Sequence, residues 1–524
     1  MSGQSTTFED TMMRSHRYWQ TASSLGADVT SQHIVVDMLV DHPVYFLGNL
    51  IIAKYLELTK GFKVWALISS RADLKAILTA KSFGVDGITY VRDEATQQAS
   101  PAAVEIIRQL EGTSDADLRK RLLAIEINGI PVGDLIYDTY IRETRRITIR
   151  ELDDELKVYL ILLVNYYILY ERLLSELDVG AVVLGHTVYS RFGVLARLAA
   201  KAECSVYTRF GGKGIRIQRR EGLDAVMDVI FRLRPGEVDR LMKAGGQLAV
   251  ETGNRTLLRR ISGTENEFQY LNEESYSPDR PIPSVERFCS RMGLEASRPK
   301  GLIMMHAFSD AAHHTPRMIF DDYHEWFLHT LDVAVGQRDV DWLFKLHPYD
   351  FHYTDDREPA ERIKAISEKH SHIHLVPEEL NTATFPGIAS FLVTVNGKAG
   401  LEFAGLGTPV LLGGNGFYSG CGFDVVPNSI DDYRNALDSA AGLYLKEDQV
   451  SRALVANDLY YRQSICNCRL IPDSSYTFWK TFDEGAFWDG YLNAMQTGTL
   501  QEDPLYMAMV NLQNSGAETL LRPE

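Results

Sequence analysis

Short apolar runs alternate along the chain with longer amphipathic stretches. In the first half, runs at 33–40, 63–68, 88–91, 179–184 and 205–208 read as buried strands. Segments 43–58, 71–83 and 191–202 carry helical spacing between them, and 101–125 gives two polar helical stretches. A long helical pattern follows 128–146 and runs to about 177, and 235–244 closes this half with a further helix. A second alternation starts at 301. Strands are predicted at 301–305, 342–346, 373–376, 391–395 and 409–412, and helices at 323–335, 359–369, 397–404, 430–441 and 449–464.

Strands separated by helices imply parallel sheets covered on both faces. The pattern therefore predicts an α/β protein built of two doubly wound, Rossmann-type halves facing a cleft. Residues 1–250 form the first half and 301–470 the second. Between them, 251–300 has little periodicity and holds Pro278, Pro281, Pro283 and Pro299, which reads as an irregular linker. Residues 471–524 are expected to be helical, with the aromatic-rich stretch 476–495 placed to cross back onto the first half.

Composition changes this picture little. The chain has 524 residues and a net charge of −16, from 70 acidic against 54 basic residues, which argues against a dedicated nucleic-acid partner. Five cysteines, none in a paired CxxC arrangement, indicate neither a zinc site nor a disulfide framework. The amino terminus lacks the basic and apolar regions of a secretory signal. The most apolar stretch, VYLILLVNYYILY at 158–170, is too short for a membrane span and reads as a buried helix. A cytoplasmic protein is expected, with association at the inner face of the membrane left open.

The chemistry concentrates at strand ends in the second half. Residues 395–414, VNGKAGLEFAGLGTPVLLGG, read as strand end, tight turn, helix and strand. The turn at Asn396-Gly397 would present backbone N–H groups at a helix start, a ready anion site, with Lys398, Ala399 and Gly400 beside it. Glu402 would lie one to two turns in, within reach of a ribose. In WLFKLHP (342–348), Pro348 ends a strand and fixes His347 at its tip, where the ring can donate to a phosphate or base. The loop MMHAFSDAAHHTPR (304–317) brings His306, Asp310, His313 and Arg317 towards the cleft as donor-binding candidates. A metal reading of this loop is the weaker one, and the DxD segments 115–117 and 339–341 read as solvated charge. No GxGxxG, P-loop or nucleophile elbow occurs.

WLFKLHP, then VPEE (376–379), then VNGKAGLEFAGLGTPV closely resemble the second half of the bacterial capsule polysaccharide synthesis family. That family includes Kdo transferases, with sialyltransferases and the polyglycerolphosphate transferases of teichoic acid synthesis more distant. The resemblance covers about residues 300 to 425 and is loose before them. It implies a GT-B glycosyltransferase, independent of metal and cofactor, which takes a sugar from a cytidine-linked donor, with CMP as leaving group, to a surface polysaccharide. The family's strand–turn–helix reads N-S-T-x-G-x-E, with the Ser-Thr hydroxyls at the phosphate. Here Gly397-Lys398 replace that pair, and Lys398 would supply charge instead. The implied partners are a nucleotide-sugar donor and a glycan or glycolipid acceptor, with peripheral contact to membrane-bound polysaccharide machinery. An inverting transferase needs a carboxylate base on the acceptor side. GDLIYDTYIR (133–142) offers Asp138 and Asp134, ahead of His186 at a strand end; Arg209 with Gly211-Gly212 would line the same cleft. Two other readings stay open: a UDP-sugar epimerase of similar shape, and a non-catalytic sugar-nucleotide or glycan binder.

Overall fold

The computed structural model describes residues 7–24, 26–92, 99–263, 275–295, 297–315, 318–472 and 482–523. The first half is a seven-stranded sheet. In chain order its strands are β1 (His33–Met38), β2 (Lys63–Ser69), β3 (Gly87–Val91), β6 (Val179–Leu184), β7 (Ser205–Phe210), β8 (Gly214–Arg220) and β15 (Cys466–Asn467). A two-stranded hairpin, β4 (Glu126–Ile127) and β5 (Ile130–Pro131), lies outside it. The order across the sheet is β15-β8-β7-β6-β1-β2-β3. Strands β1, β2, β3, β6 and β7 run parallel, whereas β8 returns antiparallel to β7 and β15 antiparallel to β8.

The second half is a six-stranded parallel sheet of β9 (Lys300–Met304), β10 (Asp341–Lys345), β11 (Ile373–Leu375), β12 (Phe391–Thr394), β13 (Val410–Leu412) and β14 (Asp424–Val425). Its order is β11-β10-β9-β12-β13-β14. Each sheet is thus wound outward in two directions, from β1 and β6 in the first and from β9 and β12 in the second. This is the GT-B-like pair of doubly wound sheets. The central strands β1, β6, β9 and β12 are mostly apolar because both faces are covered. Along β1, Ile34, Val36 and Met38 enter one core and Val35 the other. In the second sheet, Leu302 and Leu343 face one core while Ile303, Trp342 and Phe344 face the opposite one.

Local signals set the helix ends that matter for the cleft. The helix Pro43–Lys60 starts at proline after His42 and stops at Gly61, whose φ of 72° few other residues adopt. The helix Pro235–Ile261 is broken at Gly246 (φ 50°, ψ −132°) and continues beyond it into residues where the sequence shows little periodicity. The returning hairpin strand β8 is also missing from the strands that the pattern predicts. Helices Glu484–Thr497 and Pro504–Ser515 pack in the first half's core with the helix Phe8–Ser23. There Trp19 Nε1 donates to Tyr491 Oη at 3.0 Å. Among the described residues, one helix, Asp154–Glu176, is long and apolar enough to cross a membrane; Leu156, Leu160, Leu163 and Tyr170 on it are buried in the core beside the first sheet.

Candidate functional site

In an open α/β sheet, ligands bind at the carboxyl ends of the strands where the winding direction reverses. In the first sheet that crevice lies between β1 and β6, in the second between β9 and β12. The two crevices open onto one cavity of about 1490 Å³. Val40, Gly185 and His186 line it from the first half, and His306, His347 and Asn396 from the second.

His306 ties the second crevice together. Its Nε2 accepts the Val395 N–H at 3.2 Å and the Asn396 N–H at 3.4 Å, and lies 3.0 Å from Thr394 Oγ1. The ring stacks on Tyr323, centroids 4.3 Å apart. Accepting at Nε2 places the proton on Nδ1. Burial, with His347 and His314 adding, drives its pKa well below the ordinary value, so the ring stays neutral. The Asn396 amide in turn donates to His314 Nε2 at 3.2 Å and to Tyr323 Oη at 3.4 Å.

His347 Nδ1 accepts the Tyr349 N–H at 3.2 Å, which leaves the proton on Nε2. Burial pushes its pKa down to about 4 against the pull of Asp310, with Lys345 and Lys398 pushing the same way. Pro348 lines the cavity beside it. Beyond β12, the backbone of Gly397, Lys398 and Ala399 opens the helix Lys398–Gly405 onto the cavity without a side-chain cap. The Lys398 ammonium has no hydrogen bond or ion pair among the described residues and sits 5.9 Å from the Phe210 ring centroid. Burial lowers its pKa. Gly400 lies beneath, where a Cβ would run into Tyr418 Oη.

Glu402 is fully engaged. It accepts from Arg260 Nε at 3.0 Å, Tyr461 Oη at 2.5 Å and Tyr276 Oη at 2.5 Å, and both Glu402 and Arg260 are buried. Although burial alone would raise its pKa, Arg260 and the two phenols hold it below the ordinary carboxylate range.

The structure separates the candidates for acid–base chemistry. Asp134 and Asp138, favoured in the sequence as catalytic carboxylates, are not on the cavity wall. Asp134 is held by Arg197 in a two-pronged ion pair, and Asp138 is bound by His313, Nδ1 to Oδ1 at 2.7 Å. Their helical spacing is real, but it directs them into packing contacts. His186 does line the cavity, stacked on Tyr45 at 5.9 Å and beside Phe192, and burial drives its pKa down to about 4. Asp310 faces the cavity and accepts from Tyr189 Oη at 2.9 Å. Arg317 lies outside the described residues. Arg209 reaches the cavity with its guanidinium on the backbone oxygens of Val44, Tyr45 and Gly211.

Sequence reasoning missed Lys345 and Tyr189. Lys345 lines the cavity at the end of β10, and burial pushes its pKa down to about 8. A lysine inside the apolar run WLFKLHP, two positions before His347, was the available signal. Tyr189, at the start of the helix Ser190–Lys201, has no such signal.

No family model matches the chain, and no curated protein matches it. Among solved structures it is similar to KpsC of Thermosulfurimonas dismutans, a beta Kdo 2,4 transferase, at 13% identity and TM-score 0.30, over 53% of this chain and 88% of that one. It is also similar to UDP-GlcNAc 2-epimerase of Methanocaldococcus jannaschii, at 10% identity and TM-score 0.28, over 82% of this chain and 100% of that one. Trehalose 6-phosphate synthase of Burkholderia multivorans aligns at 10% identity and TM-score 0.32, over 93% and 100%. At these identities and scores the likenesses are no guide to activity.

Proposed function

We propose that the protein is a glycosyltransferase that moves a sugar from a nucleotide-activated donor to a glycan or glycolipid acceptor of a surface polysaccharide. The observation that carries this reading is the facing of the two crevices across one cavity, with an uncapped helix start and the Lys398 ammonium on one wall. The donor nucleotide binds the second half. Its phosphate meets the N–H groups of Gly397 to Ala399, the Lys398 ammonium and the His347 Nε2 proton. The acceptor enters along the first half, past His186. The cytidine-linked donor implied by the sequence resemblance has a single phosphate in its leaving group, a charge that Lys398 and the helix start can hold without an added ion.

A thermal-shift panel of CMP, CDP, UDP and GDP on the wild type and His347→Ala tests the site. The reading expects cytidine nucleotides to raise the wild-type melting temperature, with a much smaller rise in the variant. Stabilisation by UDP or GDP alone overturns the cytidine donor, and an equal shift in the variant removes His347 from the site. Labelled donor then tests the reaction. Product that forms without an acceptor points to an epimerase, and no turnover with any donor overturns the transferase.

A further inference from the structure

Transfer to a hydroxyl requires a group that takes its proton, and Asp134 and Asp138 are engaged away from the cavity. Asp310 is placed differently. It stands on the loop after β9, faces the cavity, and uses Oδ1 to accept from Tyr189 Oη at 2.9 Å. Among the described residues, its Oδ2 has no hydrogen-bond partner. The charged and titratable groups around it are Arg142, His186 and Tyr189 from the first half, and Tyr323, His347 and Tyr353 from the second. Burial keeps both imidazoles neutral near pH 7, so Arg142 is the cation among them.

Tyr189 has a backbone of φ 62° and ψ 151°, a region that glycine visits freely and other residues do not. It precedes the helix Ser190–Lys201, at the carboxyl end of β6. Neighbouring bonds hold it there: the Tyr189 carbonyl accepts the Gly193 N–H at 2.8 Å, and the Ser190 N–H donates to Thr139 Oγ1 at 2.8 Å. Strain of this kind persists only where the surroundings over-determine it, and it gathers at working sites. Here the strained residue carries the hydroxyl that reaches across the cleft to a carboxylate of the other half.

We propose that Asp310 accepts the proton of the attacking acceptor hydroxyl, and that Tyr189 is its positioning residue. The assignment rests on the transferase reading. In the step, the acceptor O–H bond breaks and its proton passes to Asp310 Oδ2. The acceptor oxygen bonds to the anomeric carbon, and the bond from that carbon to the phosphate oxygen breaks, leaving its electron pair on the phosphate beside Lys398. Because Tyr189 and Asp310 belong to opposite halves, the base is fully oriented only when the halves are together.

The test uses the full chain with Asp310→Asn, Tyr189→Phe, Tyr189→Ala and Tyr189→Gly. Asp310→Asn is expected to lose about 10²–10⁴-fold in kcat while keeping its nucleotide thermal shift. Tyr189→Phe is expected to lose about 10- to 100-fold in kcat with donor KM little changed. Tyr189→Gly should melt above Tyr189→Ala, because only glycine relieves the backbone. A wild type that transfers sugar while Asp310→Asn keeps its rate overturns the base alone. Tyr189→Phe with unchanged kcat, or with its loss in donor KM rather than in kcat, or Tyr189→Gly melting at or below Tyr189→Ala, overturns the positioning role. A wild type that transfers nothing overturns the transferase reading and this assignment with it.

Discussion

His313 and Asp138 join the two halves through a buried pair, Nδ1 to Oδ1 at 2.7 Å. The other ring nitrogen, Nε2, lies 2.7 Å from the carbonyl of Asp321, and the His313 N–H also reaches Asp138, Oδ2 at 3.1 Å. With acceptors at both nitrogens the ring is an imidazolium. Burial works against the charge, but Asp138, with Asp134 behind it, raises the pKa to about 9.

A folded-state pKa above the unfolded one of 6.5 means stability that is fully present below pH 6.5 and lost as pH rises through about 9. Denaturation midpoints measured from pH 6 to 9.5 should therefore fall in the wild type across that window. His313→Gln should flatten the fall. Asp138→Asn should do the same and cost about 3–5 kcal/mol near neutrality, because it strands a buried charge. A wild-type midpoint that stays level through pH 9 counts against the ion pair.

Lys398 is a half-buried cation with no hydrogen bond or ion pair among the described residues, so removing it should cost the fold little and the ligand a great deal. Lys398→Met is expected to melt at or above the wild-type temperature, since the variant no longer desolvates an unpaired ammonium. Its affinity for the nucleotide that stabilises the wild type should fall about 10- to 100-fold, the worth of one charge-assisted contact to phosphate. Calorimetric titration reads this directly. Unchanged affinity would place the phosphate elsewhere.

Gly400 shows how the helix start is held in place. A Cβ there would collide with Tyr418 Oη, whose hydroxyl donates to the Gly397 carbonyl at 3.1 Å. Gly400→Ala should thus cost about 1–3 kcal/mol by overpacking and weaken nucleotide binding as the turn shifts. Tyr418→Phe removes the hydroxyl that the new methyl would meet first, leaving the ring carbon Cζ at 2.8 Å, so the double variant should be more stable than the sum of the two single losses. Simple additivity would show that the glycine is not there for this contact.

Much of the architecture was legible because parallel strands buried on both faces leave continuous apolar runs. Those at 33–40, 179–184, 301–305 and 391–395 appear in the structure as β1, β6, β9 and β12. The strand ends at His347 and at Asn396-Gly397 were marked by Pro348 and by a glycine turn, both local signals. Partnership was not legible. Nothing local tells that Arg197, some sixty residues away, closes on Asp134. The same holds for Asp138 with His313 and for Glu402 with Arg260. The hairpin strand β8 stayed hidden because GGKG (211–214) looks like a loop at the edge of a site, and Gly211, at φ 102°, in fact makes the turn into that strand. Tyr189 was out of reach, since a positive φ at a tyrosine is imposed by contacts from elsewhere in the fold.

Glu402 gives a prediction that separates scaffold from ligand contact. Its two oxygens already accept from Arg260, Tyr276 and Tyr461, so its main work is to fix the helix Lys398–Gly405 against the Arg260 helix and Tyr276. Glu402→Gln breaks a buried ion pair and should cost about 3–5 kcal/mol. The folded-state pKa is held below the ordinary value of 4.5, so the pair stabilises above that pH and its contribution fades as pH falls through the folded-state value. The acid unfolding midpoint of the wild type should accordingly carry a loss between pH 4.5 and lower values that Glu402→Gln lacks. If the variant instead keeps wild-type stability at pH 7 and loses only nucleotide affinity, the carboxylate is a ribose contact rather than a brace.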